Sequence, residues 1–83
     1  MFRHFYHLRQ PMGECIDDEG VSLPSLAAAH AHALKQAYSI MSADMLEGKL
    51  DLDQRIDVED DRGNIIHTVH FRDVVTITGL EGG

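Results

Sequence analysis

This 83-residue chain contains a single cysteine, only two prolines and no long apolar run. One cysteine, Cys15, cannot form an intrachain disulfide, so a packed core must hold the fold. No apolar run approaches the ~20 residues that a membrane span needs, and we expect no signal peptide at the start of the chain. We therefore expect a cytoplasmic protein that has no membrane partner.

Basic residues are also scarce, because seven Lys and Arg stand against 14 Asp and Glu, for a formal net charge of −7. This charge opposes long-range attraction to a polyanion, so we expect neither nucleic acid nor an anionic membrane as a partner. A chain of this length forms one domain with a thin core. We place that domain at residues 1–78 and expect a flexible C-terminal tail at residues 79–83.

The clearest element in the sequence is an amphipathic helix that begins near Pro24 and ends before Gly48. Pro24 suits a first helical turn, Ser22 or Ser25 can cap that turn, and Gly48 fits the position just after a helix. Most residues between them are good helix formers. With about 100° between successive residues, one broad face collects the apolar side chains: Leu26, Ala33, Leu34, Ala37, Ile40, Met41 and Met45.

Alternating apolar and polar residues predict strands on both sides of this helix. FRHFYHLR near the start predicts a strand, and ECI predicts a short return strand after the turn QPMG. RIDVED and NIIHTVHF predict a hairpin around DRGN, and RDVVTITG predicts a last short strand or helical turn. The order strand–strand–helix–strand–strand (ββαββ) predicts an α+β fold, a two-layer sandwich with one long amphipathic helix on a mostly antiparallel sheet.

Six histidines occur as three close pairs: His4 with His7, His30 with His32, and His67 with His70. Each spacing splits its pair across its own strand or helix, so no pair chelates a metal by itself. One histidine of each pair, namely His4, His30 and His67, is expected to face the core, and the other three are expected to point away. Three inward imidazoles can converge on a zinc-like ion. The simpler interpretation is three half-buried histidines with ordinary hydrogen bonds.

No residue pattern identifies a catalytic centre or a cofactor site. Nothing around Cys15 indicates a lowered thiol pKa, no glycine-rich loop matches a phosphate cradle, and no serine occupies a nucleophile elbow. The acidic clusters lack the alternating pattern of a calcium loop. We therefore expect no enzyme activity and no cofactor. The final Gly82-Gly83 is similar to the terminus of ubiquitin-like and sulfur-carrier proteins, which leaves a carrier function as a further alternative.

Three segments together resemble a family of short uncharacterised bacterial proteins. They are FYHLR, DDEGVSLPSLAAAHAHAL and DVEDDRGNIIHTVHF, and the resemblance spans residues 2–71. It depends on an aromatic-His-Leu strand, a D-x-x-G-x-x-L-P-x-L helix start, and a D-x-x-G hairpin followed by T-V-x-F. His7 occupies the aromatic-His-Leu position. This family is a domain of unknown function, so the resemblance implies no catalytic residue, cofactor or partner.

By elimination, we expect a small non-enzymatic protein-interaction module. It would be a monomer or a homodimer whose exposed sheet edge or face meets another protein chain, either a second copy or a different protein. An exposed apolar patch outside the helix–sheet interface would favour this function. The alternative is a metal-binding protein, which would require His4, His30 and His67 to approach one another closely.

Overall fold

The computed structural model describes residues 2–76, which form a two-layer sandwich of one long helix on a five-stranded sheet. The elements are β1 (Phe2–Gln10), β2 (Gly13–Cys15), β3 (Val21–Leu23), α1 (Leu26–Leu46), β4 (Arg55–Glu59), β5 (Ile65–His70) and a 3₁₀ turn at Phe71–Asp73. Every strand pairing is antiparallel. The α+β class and the predicted order of strands around one helix are confirmed.

The strands lie in the order β2–β1–β4–β5 across the sheet, and β3 also pairs with β1. β2 pairs with the end of β1 and β3 with its beginning, so these two short strands share the place of the second predicted strand. The sequence does not predict β3, because its three residues are too few to show an alternating pattern. Residues 16–20 form the loop that separates β2 from β3.

Both ends of α1 carry the caps that the sequence predicts. Ser25 is the N-cap, and its Oγ accepts a hydrogen bond from the Ala28 N–H at 3.1 Å. After the helix, the Lys49 N–H donates to the Asp44 carbonyl at 3.1 Å, with Gly48 just before it. This is the Schellman arrangement, in which a glycine after the last turn lets the chain reverse.

The core lies between α1 and the inner face of β1, β4 and β5. Every fourth helix residue from Ala29 to Met41 is buried in this contact, and small alanines allow the helix to approach the sheet closely. Leu26 and Met45, which were predicted on the same face, are exposed because they lie beyond the ends of this row. The buried core cluster is Tyr6, Ala33, Ala37, Met41, Ile56, Val58, Val69 and Phe71.

The hairpin of β4 and β5 contains a register irregularity between Val58 and Glu59. Val58 pairs with His67, whereas Glu59 pairs with Ile65, so Ile66 is an extra residue on β5. Such a bulge breaks the alternation of faces along a strand. Ile65 was predicted to face the core and is instead 47% exposed.

The chain after β5 turns through the 3₁₀ turn, in the region where a last strand or helical turn was predicted. No helix within residues 2–76 has the length and apolar character to cross a membrane. The predicted tail at residues 79–83, including Gly82-Gly83, lies outside the described residues.

Candidate functional site

A half-open cavity of about 670 Å³ lies at the end of the sandwich where α1 begins. The first residues of β1, the first turn of α1 and the β4–β5 hairpin form its walls. These walls are mainly apolar, and Phe2, Leu26, Val58 and Ile66 contribute to them. We call this cavity the α1 pocket. Pockets of this volume with apolar walls are the usual form of small-molecule binding sites.

His4, His30 and His67, the three histidines predicted to share a site, all line the α1 pocket. The rings of His30 and His67 meet edge to face, with centroids 4.3 Å apart. His4 is only 2% exposed. His30 was predicted to face the core but is exposed, because it follows Ala29 and lies beside the buried helix row.

The structure therefore brings the three histidines to one cavity without assembling a metal site. Within residues 2–76, no group of three or more His, Cys, Asp or Glu side chains is arranged to hold a metal ion. A metal bound by His4, His30 and His67 stays a prediction.

Two imidazole nitrogens at this pocket have unused hydrogen-bonding capacity. His4 Nδ1 and His67 Nε2 are buried, and neither has a hydrogen-bond partner among residues 2–76. Most buried side-chain polar atoms are paired, so two unpaired nitrogens in residues that line one cavity require an explanation. Burial and the proximity of His30 lower the pKa of His67, which favours its neutral form. A neutral imidazole has one donor and one acceptor nitrogen.

The mouth of the α1 pocket carries opposite charges in equal number. Arg3 and Arg62 line it together with Asp60 and Asp61. Arg3 also donates a hydrogen bond to the Glu19 carbonyl. In a chain of net charge −7, the mouth of this pocket is therefore locally balanced.

His7 was predicted to point away from the core, and the structure shows it buried on the outer face of the sheet. Its Nδ1 accepts a hydrogen bond from the Asp17 N–H at 3.1 Å, and its Nε2 lies 3.1 Å from Glu59 Oε1. Hydrogen bonding to the 16–20 loop on one side and to β4 on the other accounts for this burial. His7 thus points away from the core as predicted, but its burial was not predicted, because the alternating pattern of β1 contains no information about this loop.

Asp17 fastens the same loop to β1 at the gap between β2 and β3. One carboxylate oxygen accepts from the Tyr6 N–H at 3.1 Å, and the other accepts from the N–H groups of Gly20 and Glu19 at 3.0 and 3.2 Å. Burial alone would raise the pKa of Asp17. The backbone hydrogen bonds from Gly20, Tyr6 and Glu19 outweigh this effect and hold the pKa below its ordinary value.

His7 belongs to the aromatic-His-Leu segment, and Asp17 and Gly20 belong to the D-x-x-G segment before α1. The fold joins these three residues by hydrogen bonds. The family model described as "Domain of unknown function (DUF6894)" matches residues 3–72. The chain belongs to this family. The match covers almost the whole sandwich, and it confirms the predicted relationship to a domain of unknown function. No curated protein and no solved structure matches the chain.

The contribution of the Asp17 carboxylate to the stability of this DUF6894 domain is expected to depend on pH. Because its pKa is lowered in the folded state, its stabilisation is present at neutral pH and is lost as the pH falls through the folded pKa. In the Asp17→Asn variant, an amide NH₂ replaces one carboxylate oxygen and cannot accept the hydrogen bond from the Tyr6 N–H. We therefore expect the free energy of unfolding to fall by about 1–2 kcal/mol at pH 7. Urea unfolding at pH 7 and at pH 3 measures the difference, which should shrink at the lower pH.

The matched control for this substitution is Asp18→Asn, because Asp18 is an exposed carboxylate in the same loop. We expect this variant to change the free energy of unfolding by less than about 0.5 kcal/mol. A difference between wild type and Asp17→Asn that stayed constant from pH 7 to pH 3 would contradict the assigned role of the Asp17 charge.

The outer face of the DUF6894 sheet carries a second polar cluster, centred on buried Asp57. Arg9 Nε and Thr68 Oγ1 donate to its carboxylate at 3.0 and 2.9 Å, and Arg55 Nε lies 3.4 Å away. Burial would raise the pKa of Asp57, but these three partners outweigh it and lower the pKa. Both carboxylate oxygens of Asp57 therefore have donors within the sheet, and this arrangement indicates a structural role. Sequence reasoning missed it.

Proposed function

We propose that this DUF6894 domain is a non-enzymatic protein-interaction module that binds another chain by strand addition at β5. The observation that carries this proposal is the longer of the two terminal strands of the sheet. β5 is the last strand in the order, and among residues 2–76 no strand pairs with its far edge. An unpaired strand edge presents backbone donors and acceptors to an extended segment of another chain.

The direction of these backbone groups follows from one hydrogen bond. The Phe71 N–H donates to the Gln54 carbonyl at 3.0 Å, so it points toward β4. Successive N–H groups along a strand point in opposite directions. The N–H groups of His70 and Thr68 therefore point away from β4, toward the position of an added strand.

The side chains of β5 also suit an added strand. The segment Ile65–His70 contains no Lys, Arg, Asp, Glu or Pro, the residues that proteins commonly use to protect an edge. Ile65 and Ile66 are exposed at its start, and Ile66 borders the α1 pocket beside exposed Phe2. This is an apolar patch at the margin of the helix–sheet interface, and it favours a protein partner.

The first test removes one outward N–H without disturbing the sheet. His70 has φ −86°, which is within reach of proline, and its N–H makes no ladder bond to β4. We expect His70→Pro to lose at least 10-fold in affinity for the partner chain, whereas His70→Val, which also lacks the imidazole but keeps the N–H, retains binding. Sedimentation of the purified chain measures self-association. Pull-down from host-cell lysate with a histidine-free tag, followed by mass spectrometry, measures capture of another protein.

Circular dichroism must show that His70→Pro stays folded. Ile66→Lys is a second variant that tests the same edge, because it adds a charge there without altering the backbone. Loss of the same partner in both variants supports strand addition. A wild-type chain that sediments as a monomer and captures no stoichiometric partner contradicts the proposal. So does a partner that His70→Pro binds as tightly as the wild type.

A metal-binding function is the second candidate. The contact between His30 and His67, together with the unpaired nitrogens of His4 and His67, favours it. Zinc accepts imidazole ligands and commonly requires three or four of them in tetrahedral geometry. Binding would thus require the three rings to reorient, because they do not form a three-ligand group as they stand. Titration of the ¹⁵N-labelled chain with Zn²⁺ alone, followed by NMR, tests this function.

A further inference from the structure

We infer that the α1 pocket is a binding site for a small uncharged molecule that has an apolar ring body and a hydroxyl group. This inference is independent of strand addition at β5, since the pocket lies between α1 and the inner face of the sheet. It depends on the size of the pocket, on the balance of charge at its mouth and on the two unpaired imidazole nitrogens.

The shape of the pocket fits a molecule of one or two rings. Its volume of about 670 Å³ lies within the range of roughly 300–1,000 Å³ that small-molecule sites occupy. Phe2, Leu26 and Ile66 expose apolar surface around it, and Ala29 lines it from the helix. A ring that covered this surface would remove it from water, which is favourable.

The charges around the pocket favour an uncharged ligand. Arg3 and Arg62 are balanced by Asp60 and Asp61, so the mouth does not select a cation or an anion. His67 is held toward its neutral form by burial and by His30, so it provides no fixed positive charge inside. A carboxylate or an ammonium group would lose its hydration in this pocket without gaining an opposite charge.

The histidines favour a hydroxyl as the polar group. His4 Nδ1 and His67 Nε2 are buried without a described partner, and an unpaired buried nitrogen is costly. A hydroxyl both donates and accepts, so it can pair with either tautomer of a neutral imidazole. As the rings stand, neither nitrogen is exposed in the pocket. His67 is half-buried beside exposed His30, and we expect its ring to turn about the Cβ–Cγ bond so that a nitrogen meets the hydroxyl of the ligand.

The test is a titration of the ¹⁵N-labelled chain, followed by the amide signals of its NMR spectrum. The four probes are 4-ethylphenol, ethylbenzene, 4-ethylbenzoate and Zn²⁺ alone. Ethylbenzene lacks the hydroxyl of 4-ethylphenol, and 4-ethylbenzoate carries an anionic carboxylate in its place. We expect 4-ethylphenol to shift the amide signals of Ala29, His30 and His67. Ethylbenzene should bind at least 10-fold more weakly, and 4-ethylbenzoate should not bind.

A matched pair of variants examines the role of the imidazole. His67→Phe keeps a ring of similar size but removes both nitrogens, and His70→Phe makes the same change on the same strand outside the pocket. We expect His67→Phe to reduce the affinity for 4-ethylphenol to that for ethylbenzene, and His70→Phe to leave it unchanged. The comparison of probes on the wild-type chain keeps the inference testable if His67→Phe fails to fold.

Three outcomes would overturn the inference. Equal binding of ethylbenzene and 4-ethylphenol would show an apolar cavity without hydroxyl recognition. Shifts confined to residues far from the pocket, or no shift with either ring compound, would remove the site. A response to Zn²⁺ with none to 4-ethylphenol would assign the histidines to a metal. His70→Pro, which blocks the β5 edge, should bind 4-ethylphenol normally, so this inference and the strand-addition proposal can fail separately.

Discussion

Phe71→Ala is expected to destabilise the domain by about 3–5 kcal/mol, the usual cost of removing a fully buried phenylalanine. Phe71 is 0% exposed and belongs to the core cluster that joins α1 to β4 and β5. Small domains have net stabilities of only about 5–15 kcal/mol, and a chain of 83 residues lies toward the lower end. We expect this variant to be largely unfolded at 37 °C or to melt well below the wild type.

The matched control is Phe2→Ala, which removes the same atoms from a side chain that is 57% exposed. We expect it to cost less than about 1 kcal/mol, because most of the ring already contacts water. Urea unfolding followed by circular dichroism measures both variants. Equal destabilisation by the two substitutions would mean that the core is not organised around Phe71.

Gly20→Ala is expected to have the second large effect, because two separate penalties apply at this position. Gly20 has φ +73°, a conformation that side chains with a Cβ adopt at a cost of about 1–2 kcal/mol. A Cβ there would also lie 2.8 Å from the His4 carbonyl oxygen and 2.9 Å from the ring of Phe5. Overpacking of this kind commonly adds about 1–3 kcal/mol, so the total is about 2–5 kcal/mol.

Gly63→Ala separates the two penalties. Gly63 has φ +84°, but a Cβ on it would meet nothing within 4 Å. We therefore expect this variant to lose only the conformational part, about 1–2 kcal/mol. The difference between the two free energies of unfolding measures how tightly the 16–20 loop packs on β1. Should both variants lose the same stability, the close approach of Gly20 to His4 would be refuted. Faster hydrogen exchange at the Tyr6 amide would report the same loosening locally.

The elements that the sequence predicts well are those with local signals. Ser25 and Gly48 mark the two ends of α1, and the residues between them are helix formers with a clear apolar face. DRGN lies between two alternating segments and predicts the hairpin directly. The bulge at Val58 and Glu59 has no such local signal, so the faces of Ile65 and Ile66 could not be assigned from periodicity.

The polar clusters depend on contacts between distant parts of the chain, and for this reason the sequence does not predict them. Arg9 reaches Asp57 across 48 residues, and Asp57 becomes buried only when β1 and β4 pair. Buried Gln54 accepts a hydrogen bond from Gln10 and donates to the Asp51 carbonyl, although nothing near it in sequence indicates burial. The three pocket histidines were selected from their faces, yet only the fold shows that they share one cavity.

The two edges of the sheet differ in a way that limits how the chain can assemble. One edge consists of β2 and β3, each three residues long. In the gap between them, the Tyr6 N–H donates a hydrogen bond to the Asp17 carboxylate, so it is not available to another strand. The other edge is the continuous strand β5. Sheets that are open at both edges can add copies without end and grow into fibres. Two copies joined through β5 would expose only the short, interrupted edges of β2 and β3, which offer a third copy little backbone to pair with, so we expect growth by strand addition to stop at a pair.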